Sequence, residues 1–551
     1  MKIFSSSSCL RLRHLLRKPT RRSEGTRWIS LTTDTQTTTP VSFTDLGIRR
    51  PLVKAILAGF PNVQEPTRIQ AELIPAILSG KDVLLQDDTG VGKSFGLMLA
   101  LLNKTRLHYT DPEHGQLKPK PSITSLLLVP HRDLAFQFLY WIRRVVDASS
   151  ERPTPLQEVA QVVVRNNKIH LDETLSLLRE TPPHVLIGTP AAVLEIWRKD
   201  PSAIRLEELS SIALDDVDYM IETVPSEGDS VALRKARKKI TMHPGPARDF
   251  LETIYADRRQ RPDIAEMDDV EGVPGPQLIV ASATLRRHLK NYLFHESGLL
   301  NKGTVKVRGS VMAHRAPTKE DVAVNHKISH SILVASYEGI KNTSAAVEEK
   351  VEMVDPDPAI EVSLMDNAEV TKLDGDDSEQ TERERKFSTI PSPFNQDVLE
   401  AVAAAFALDV PSVALLTIPS DASVHRAVYD LRALGVNAHA MNFLVDSESK
   451  SHLIHGGAGK TQNPTLFVAT PATIRGVDMP SLSHVFIMGA EPLQERWLSA
   501  IDTYIHVAGR VGRFGRKGKV VSVVPSEEEA ERIDIILKRL GVCPVRFTHF
   551  R

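Results

Sequence analysis

Short apolar runs alternate along the chain with longer stretches whose apolar residues recur every three or four positions. The first pattern predicts buried strands and the second predicts amphipathic helices. In the first half the strand-like runs are Asp82–Gln86, Ser125–Val129, His184–Ile187, Ser211–Leu214 and Leu278–Ala281. The rhythm restarts after about residue 325, with Ser412–Leu416, Thr465–Ala469, His484–Ile487 and Val520–Val524. Strands that alternate with helices predict a parallel, doubly wound sheet. The restart predicts two α/β domains in series, residues 41–308 and 325–551, joined by a linker at 309–324.

Composition changes this picture at three places. Residues 1–33 carry eight Lys or Arg against one acid, Glu24, and are rich in Ser and Leu. That Arg-rich, acid-poor pattern predicts that residues 1–40 are a disordered mitochondrial transit peptide, cut near Arg27–Ser30. Residues 221–275 interrupt the strand rhythm and hold a basic run, Arg234, Lys235, Arg237, Lys238 and Lys239. This run is either an RNA-binding surface or a plain solvated helix. Residues 341–386 hold fourteen acids against six bases, a composition that predicts a disordered acidic insertion.

The whole chain of 551 residues is nearly neutral, with 68 basic and 69 acidic side chains, so any nucleic-acid surface must be local. Its two cysteines, Cys9 and Cys543, exclude a disulfide scaffold and a four-cysteine zinc site. No apolar run is long enough to span a bilayer, so no membrane insertion is expected.

The clearest chemistry follows the first strand. Asp87, Asp88, Thr89, Gly90, Val91, Gly92, Lys93 and Ser94 spell a phosphate-binding loop, with Asp87 where the pattern usually has Gly. The glycines let backbone amides turn toward phosphate. Lys93 supplies positive charge, Ser94 offers a hydroxyl ligand to Mg2+, and the helix N-terminus favours the anion. Asp87 and Asp88 weaken phosphate binding unless they point away.

Further motifs follow in a fixed order. Phe43 precedes Pro66–Gln70; then come the phosphate loop, Pro130–Ala135 and Thr189-Pro190. Asp215-Asp216-Val217-Asp218 ends an apolar run, and Ser282-Ala283-Thr284 ends another. The second half carries Thr470 through Asp478, then His506–Arg513. This ordered set resembles the DEAD-box RNA helicases over roughly residues 43–530, both interruptions excepted. The resemblance implies two tandem RecA-like domains that close over ATP and RNA.

The resemblance also implies roles. Gln70 reads the adenine edge and Phe43 stacks on the base. Asp88, Thr89, Gly90, Val91, Gly92, Lys93 and Ser94 hold the phosphates, and Asp478 contacts the ribose. Asp215 anchors Mg2+ together with Ser94. Asp216 stands where the family has Glu to orient the attacking water; being one methylene shorter, it is expected to slow hydrolysis. Arg510 and Arg513 reach the γ-phosphate from the second domain, and Ser282 and Thr284 couple closure to the site. Arg132, Thr189, Thr470 and Gly476 contact the RNA backbone. Ala192 and Val507 stand where the family has Arg, so part of the RNA affinity is expected from outside the core. The implied protein is an RNA-dependent ATPase of the mitochondrial matrix, acting on mitochondrial rRNA in large-subunit assembly intermediates or in mitochondrial RNA metabolism. The departures leave a second reading, an ATP-binding RNA clamp with weak hydrolysis.

Overall fold

A computed structural model describes residues 41–87, 89–106, 108–110, 117–149, 154–165, 171–224, 230–256, 275–309, 328–348, 385–441, 463–477, 479, 482–489, 497–512 and 517–550. The transit-peptide reading of residues 1–40 lies outside them.

The first domain is built on a seven-stranded sheet: β1 (Val83–Gln86), β2 (Ser125–Leu128), β3 (Ala160–Val163), β4 (Val185–Gly188), β5 (Ser211–Asp215), β6 (Gln277–Ser282) and β7 (Val305–Arg308). Their order is β3-β4-β2-β5-β6-β1-β7, with every pairing parallel. Central strands such as β1, β2, β4 and β5 are buried at every position, which is why they read as continuous apolar runs.

The second domain repeats the plan with β8 (Ile328–Ser336), β9 (Gly339–Asn342), β10 (Val413–Thr417), β11 (Ala438–Ala440), β12 (Thr465–Ala469), β13 (Leu482–Met488) and β14 (Gly518–Val524). The order is β9-β8-β14-β13-β10-β12-β11, parallel except for the β8–β9 edge. Each sheet has an apolar cluster on both faces, which helices cover. No helix among the described residues is long and apolar enough to cross a membrane.

Two sequence expectations change. Residues 341–348 belong to the fold rather than to a disordered insertion. Asn342 closes β9, Thr343 is buried, and Val347 bridges Val545 near the end of the described chain. The acidic count over 341–386 hid this, because its first acid is Glu348. Residues 349–384, which hold the rest of the acids, lie outside the described residues.

Within 221–275, the helices Ser230–Met242 and Pro246–Ile254 form. The second is a core element. Its Phe250 and Leu251 are fully buried, and Phe250 meets Trp197 edge to face at 6.2 Å between ring centroids. Ala247, Phe250 and Leu251 carry the i, i+3, i+4 signal that the neighbouring charges obscured.

Each domain also buries a neutral histidine. His184 Nδ1 lies 3.0 Å from Thr124 Oγ1, and His330 Nδ1 lies 2.7 Å from Tyr504 Oη. Burial pushes each from 6.5 to about 4. Below pH 6.5 the unfolded chain takes up protons that the folded chain refuses, so stability is full above that pH and falls toward pH 4. Between pH 7 and 5 each histidine should remove about 2 kcal/mol from its domain. Denaturant unfolding of the full chain at the two pH values checks this, and His330→Asn should lose that share of the pH dependence in the second domain only.

Candidate functional site

All strands of the first sheet run the same way, so their carboxyl ends share one edge. That edge is where an open α/β sheet places its ligand site. Asp87 follows β1, His131 follows β2, Thr189 follows β4, Asp215 ends β5 and Ser282 ends β6.

The loop after β1 has the backbone a phosphate cradle needs. Gly90 and Gly92 have φ of 84° and 95°, which only glycine adopts freely. Gly92 also has no room for a side chain, since a Cβ would stand 2.6 Å from Gln70 Nε2. The Lys93–Asn103 helix begins there, and Lys93 Nζ donates to Asp87 O at 2.8 Å. The Asp87 carboxylate lies against Gly309, beyond the end of β7.

Asp215 is 1% exposed, and Ser94 donates a hydrogen bond to it. Burial, then the neighbouring Asp216, pushes its pKa upward. Its Oδ2 is buried with no hydrogen-bond partner. An orphaned carboxylate oxygen next to a hydroxyl and a lysine is what a hard divalent cation would complete. Ser94 and Asp215 therefore fit Mg2+, whose chemistry there would be neutralisation of phosphate charge.

Asp216 is buried, with φ 56° and ψ 51°, the one left-handed non-glycine residue among those described. Asp tolerates this conformation better than most side chains, and such backbone recurs at functional sites.

Asp218 joins the first-domain motifs. It accepts from Ser282 Oγ and from Thr284 Oγ1, the latter at 2.5 Å. From the second domain, His506 Nε2 and Arg475 Nη1 each stand 3.7 Å from its Oδ2. Burial pushes its carboxyl upward, but the neighbouring His506 and the hydroxyls of Ser282 and Thr284 outweigh this and hold it well below the usual range. Ser282 and Thr284 thus reach the second domain through a residue that sequence reasoning left without a role.

Other contacts seal the cleft. His131 caps the Arg132–Asp147 helix by accepting from Leu134 N through Nδ1, so its Nε2 carries the proton donated to Arg475 O at 2.6 Å. Gln137 Nε2 donates to Gly476 O at 3.3 Å, and Arg286 Nε pairs with Asp502 at 2.7 Å. Gly476 is in left-handed backbone at φ 69°, and a Cβ there would stand 2.6 Å from Leu134 Cδ2. Arg475 lies over the Tyr219 ring at 5.0 Å. Of the side-chain partners here, His131 lies within the Pro130–Ala135 motif, where the resemblance assigns it no role, while Tyr219 carries no motif signal.

Arg510 is 3% exposed, with its guanidinium oriented by His506 O at 2.9 Å and Val477 O at 2.7 Å. Gly509 beside it touches the phosphate loop. A Cβ there would stand 1.9 Å from Thr89 Oγ1 and 3.0 Å from Ile505 O. The Arg510 motif and the phosphate loop therefore meet directly.

The outer contacts are mixed. Arg132 presents a side chain 44% exposed, and Thr189 and Thr470 each open a helix on their own domain. Asp88, Asp478 and Arg513 lie outside the described residues. Phe43 requires a correction. It is 2% exposed in the core with Leu46 and Ile48, and offers no face to a base. A lone aromatic upstream of the motif looks the same in sequence whether it stacks or packs. Gln70 is 3% exposed, and both ends of its amide are engaged. Oε1 accepts from Thr67 N at 3.0 Å, and Nε2 donates to Gly92 O at 3.1 Å. In this arrangement it braces the phosphate loop.

The family profile described as "DEAD/DEAH box helicase" matches residues 67–292, and "Helicase conserved C-terminal domain" matches 415–515. The chain belongs to the DEAD-box helicase family. It is 27% identical to the ATP-dependent RNA helicase DBP9 of Pyricularia oryzae over 270 residues, 48% of this chain and 40% of that protein. It is 32% identical to the human probable ATP-dependent RNA helicase DDX28 over 189 residues, 33% of this chain and 31% of the relative. With dbp10 of Schizosaccharomyces pombe the figures are 24% over 500 residues, 90% and 46%. The chain spans less than half the length of each of these curated relatives.

Among solved structures, Saccharomyces cerevisiae Dbp5 bound to RNA and ADP BeF3 shares the fold with a TM-score of 0.53 at 18% identity, covering 92% of this chain and 95% of the other. Mss116p bound to ssRNA and AMP-PNP gives 0.53 at 17%, covering 89% and 76%. The tandem RecA-like architecture is therefore that of this chain as well.

Proposed function

We propose that the chain is an RNA-dependent ATPase that remodels RNA by closing its two domains over ATP and RNA. The observation that carries this is the composite site. Lys93, Ser94 and the orphaned Asp215 oxygen lie on one domain, while Arg510, fixed by two carbonyls, comes from the other. Neither domain alone holds both the phosphate loop with its Lys93 and the second cation, Arg510, needed to stabilise charge developing on a γ-phosphoryl group, so hydrolysis requires closure. In this reading Gln70 senses the base beside the loop it braces, Asp478 holds the ribose, and Asp88 and Arg513 complete the phosphate contacts. Mg2+ is held by Ser94 and Asp215. Arg132, Thr189, Thr470 and Gly476 contact sugar and phosphate, which makes binding sequence-tolerant.

The basic, acid-poor residues 1–33 support action in the mitochondrial matrix, with mitochondrial rRNA of large-subunit assembly intermediates as the substrate. A fluorescent fusion carrying residues 1–45 should enter mitochondria. Depletion of the protein should alter mitochondrial ribosome profiles; normal profiles would remove the assembly role.

One observation favours a second reading, an RNA clamp with weak turnover. Asp216 is one methylene shorter than the family's Glu, and its Oδ2 would stand 3.3 Å from a Cβ on Gly476. A side chain short by about 1 Å can cost ~100-fold in rate. The test is Mg2+-dependent ATP hydrolysis by the full chain, with and without RNA, beside Asp216→Glu. RNA-stimulated turnover in the parent establishes the ATPase. Turnover only in Asp216→Glu establishes the clamp.

A further inference from the structure

We infer that the outer face of the Ser230–Met242 helix is a second RNA-backbone contact, separate from the interdomain cleft. The inference rests on the proposed RNA reading and adds to it a surface that the helicase motifs do not include.

The helix has a clear inside and outside. Ile240 is buried, and Leu233 and Ala236, on the same side, are partly buried. The opposite stripe, at i, i+3, i+4, i+7 and i+11, reads Val231, Arg234, Lys235, Lys238 and Met242, and all five are exposed. Arg237 and Lys239 flank it, and the helix contains no acid. Lys239 pairs with Glu222 at 3.0 Å. Among the described residues, the other four cations form no ion pair.

Some cations elsewhere on the surface are paired. Arg165 pairs with Glu195 at 2.9 Å, Arg532 with Glu528 at 2.7 Å and Lys538 with Asp534 at 2.6 Å. Like charges three and four positions apart weaken a helix by a few tenths of a kcal/mol each. Positions 234, 235, 237, 238 and 239 contain several such pairs, without internal compensation, in a chain whose net charge is −1. A polyanion is the ligand that turns this repulsion into binding, by releasing its own condensed counterions.

Placement selects RNA over other polyanions. The basic helix runs through three residues into the Pro246–Ile254 helix, which packs on the Pro190–Lys199 helix. Arg198 and Asp249 also pair between those two. The Pro190–Lys199 helix starts at Thr189, one of the assigned backbone contacts. On its other side, Lys239 holds the helix to Glu222, four residues beyond Asp218. The cationic stripe is therefore tied on both sides to first-domain elements that carry motif residues, Thr189 at the start of one and Asp218 just before the other. It also supplies charge that the core lacks, with Ala192 and Val507 in place of arginines.

The test is the salt dependence of oligouridylate binding by the full chain with AMP-PNP, read by fluorescence anisotropy. Three neutralised phosphate contacts, in Arg234→Gln/Lys235→Gln/Lys238→Gln, should reduce the slope of log K against log salt by about 2 and weaken binding up to ~100-fold at 0.1 M salt. The control Lys341→Gln/Arg532→Gln/Lys538→Gln removes three second-domain cations already paired with Glu338, Glu528 and Asp534, and should leave the slope unchanged. All substituted side chains are exposed, and equal melting temperatures confirm the fold. An unchanged slope in the first variant, with the parent still binding RNA, overturns this inference alone. Unchanged RNA binding with lost binding of polyglutamate would reassign the face to an acidic polypeptide. Failure of the parent to bind RNA overturns the proposed function as well.

Discussion

Lys93→Ala is expected to lower RNA-stimulated ATP hydrolysis by ~10²–10³-fold while leaving the fold intact. Lys93 is the one cation the phosphate loop directs toward the phosphates, and it is only 7% exposed. Its position is set by the carbonyl of Asp87 at 2.8 Å, so the ammonium is fixed before nucleotide arrives. Losing one preorganised charge of this kind in a water-poor site costs about that factor. Asp215 enlarges the effect. Its carboxylate lies beside Asp216, and Lys93 is one of the groups that favour its ionised form. Single-turnover hydrolysis against nucleotide affinity separates the two contributions. A rate within about threefold of the parent would show that Lys93 does not face the reacting phosphate.

Gly509→Ala is expected to abolish productive closure, with RNA-stimulated turnover falling by about 100-fold. The added methyl has no place to go. It would stand 3.0 Å from both Thr89 Cβ and Ile505 O, so turning the Thr89 hydroxyl aside does not relieve the clash. The domains must separate by a fraction of an ångström to a full ångström where Arg510 crosses the cleft. The variant should still melt like the parent, because Gly509 follows a helix end and the sharpest clash, with Thr89, is with the other domain. Thr89→Gly in the same chain, which removes the Thr89 Cβ as well as its hydroxyl, should partly restore turnover. Failure of any rescue, with full activity in Gly509→Ala alone, would mean that the active state is not closed at this contact.

These two residues show how differently legible the site is. Lys93 lies in a contiguous loop whose chemistry is local, so spacing alone identifies it. The strands are legible for a similar reason: most are buried on both faces and bounded by polar residues. Gly509 is legible only as a motif glycine. That it must lack a side chain because of Thr89, 420 residues earlier in the chain, is a fact of the closed domains. Asp218 belongs to the same class. In sequence it is the last letter of a tetrad; in the fold it collects Ser282, Thr284, His506 and Arg475.

Where the sequence misled, a local average stood in for a contact. Phe43 has the spacing of a stacking residue, yet the core claims it, because burying an aromatic ring is favourable wherever the neighbours allow it. Residues 341–348 were drowned in a charge count dominated by later acids. Their partners, Pro544 and Val545, lie far along the chain, where no window could include them.

The sequence by itself determined the two α/β domains, the phosphate loop and the basic run, since each depends on periodicity, spacing or composition within a few turns. Only the tertiary structure decided how those parts meet. It set His131 against the Arg475 carbonyl and Arg510 at the cleft, and it left Arg234, Lys235 and Lys238 facing outward. Those outcomes depend on pairs hundreds of residues apart and on which side of a helix finds a core, and neither is encoded in local order.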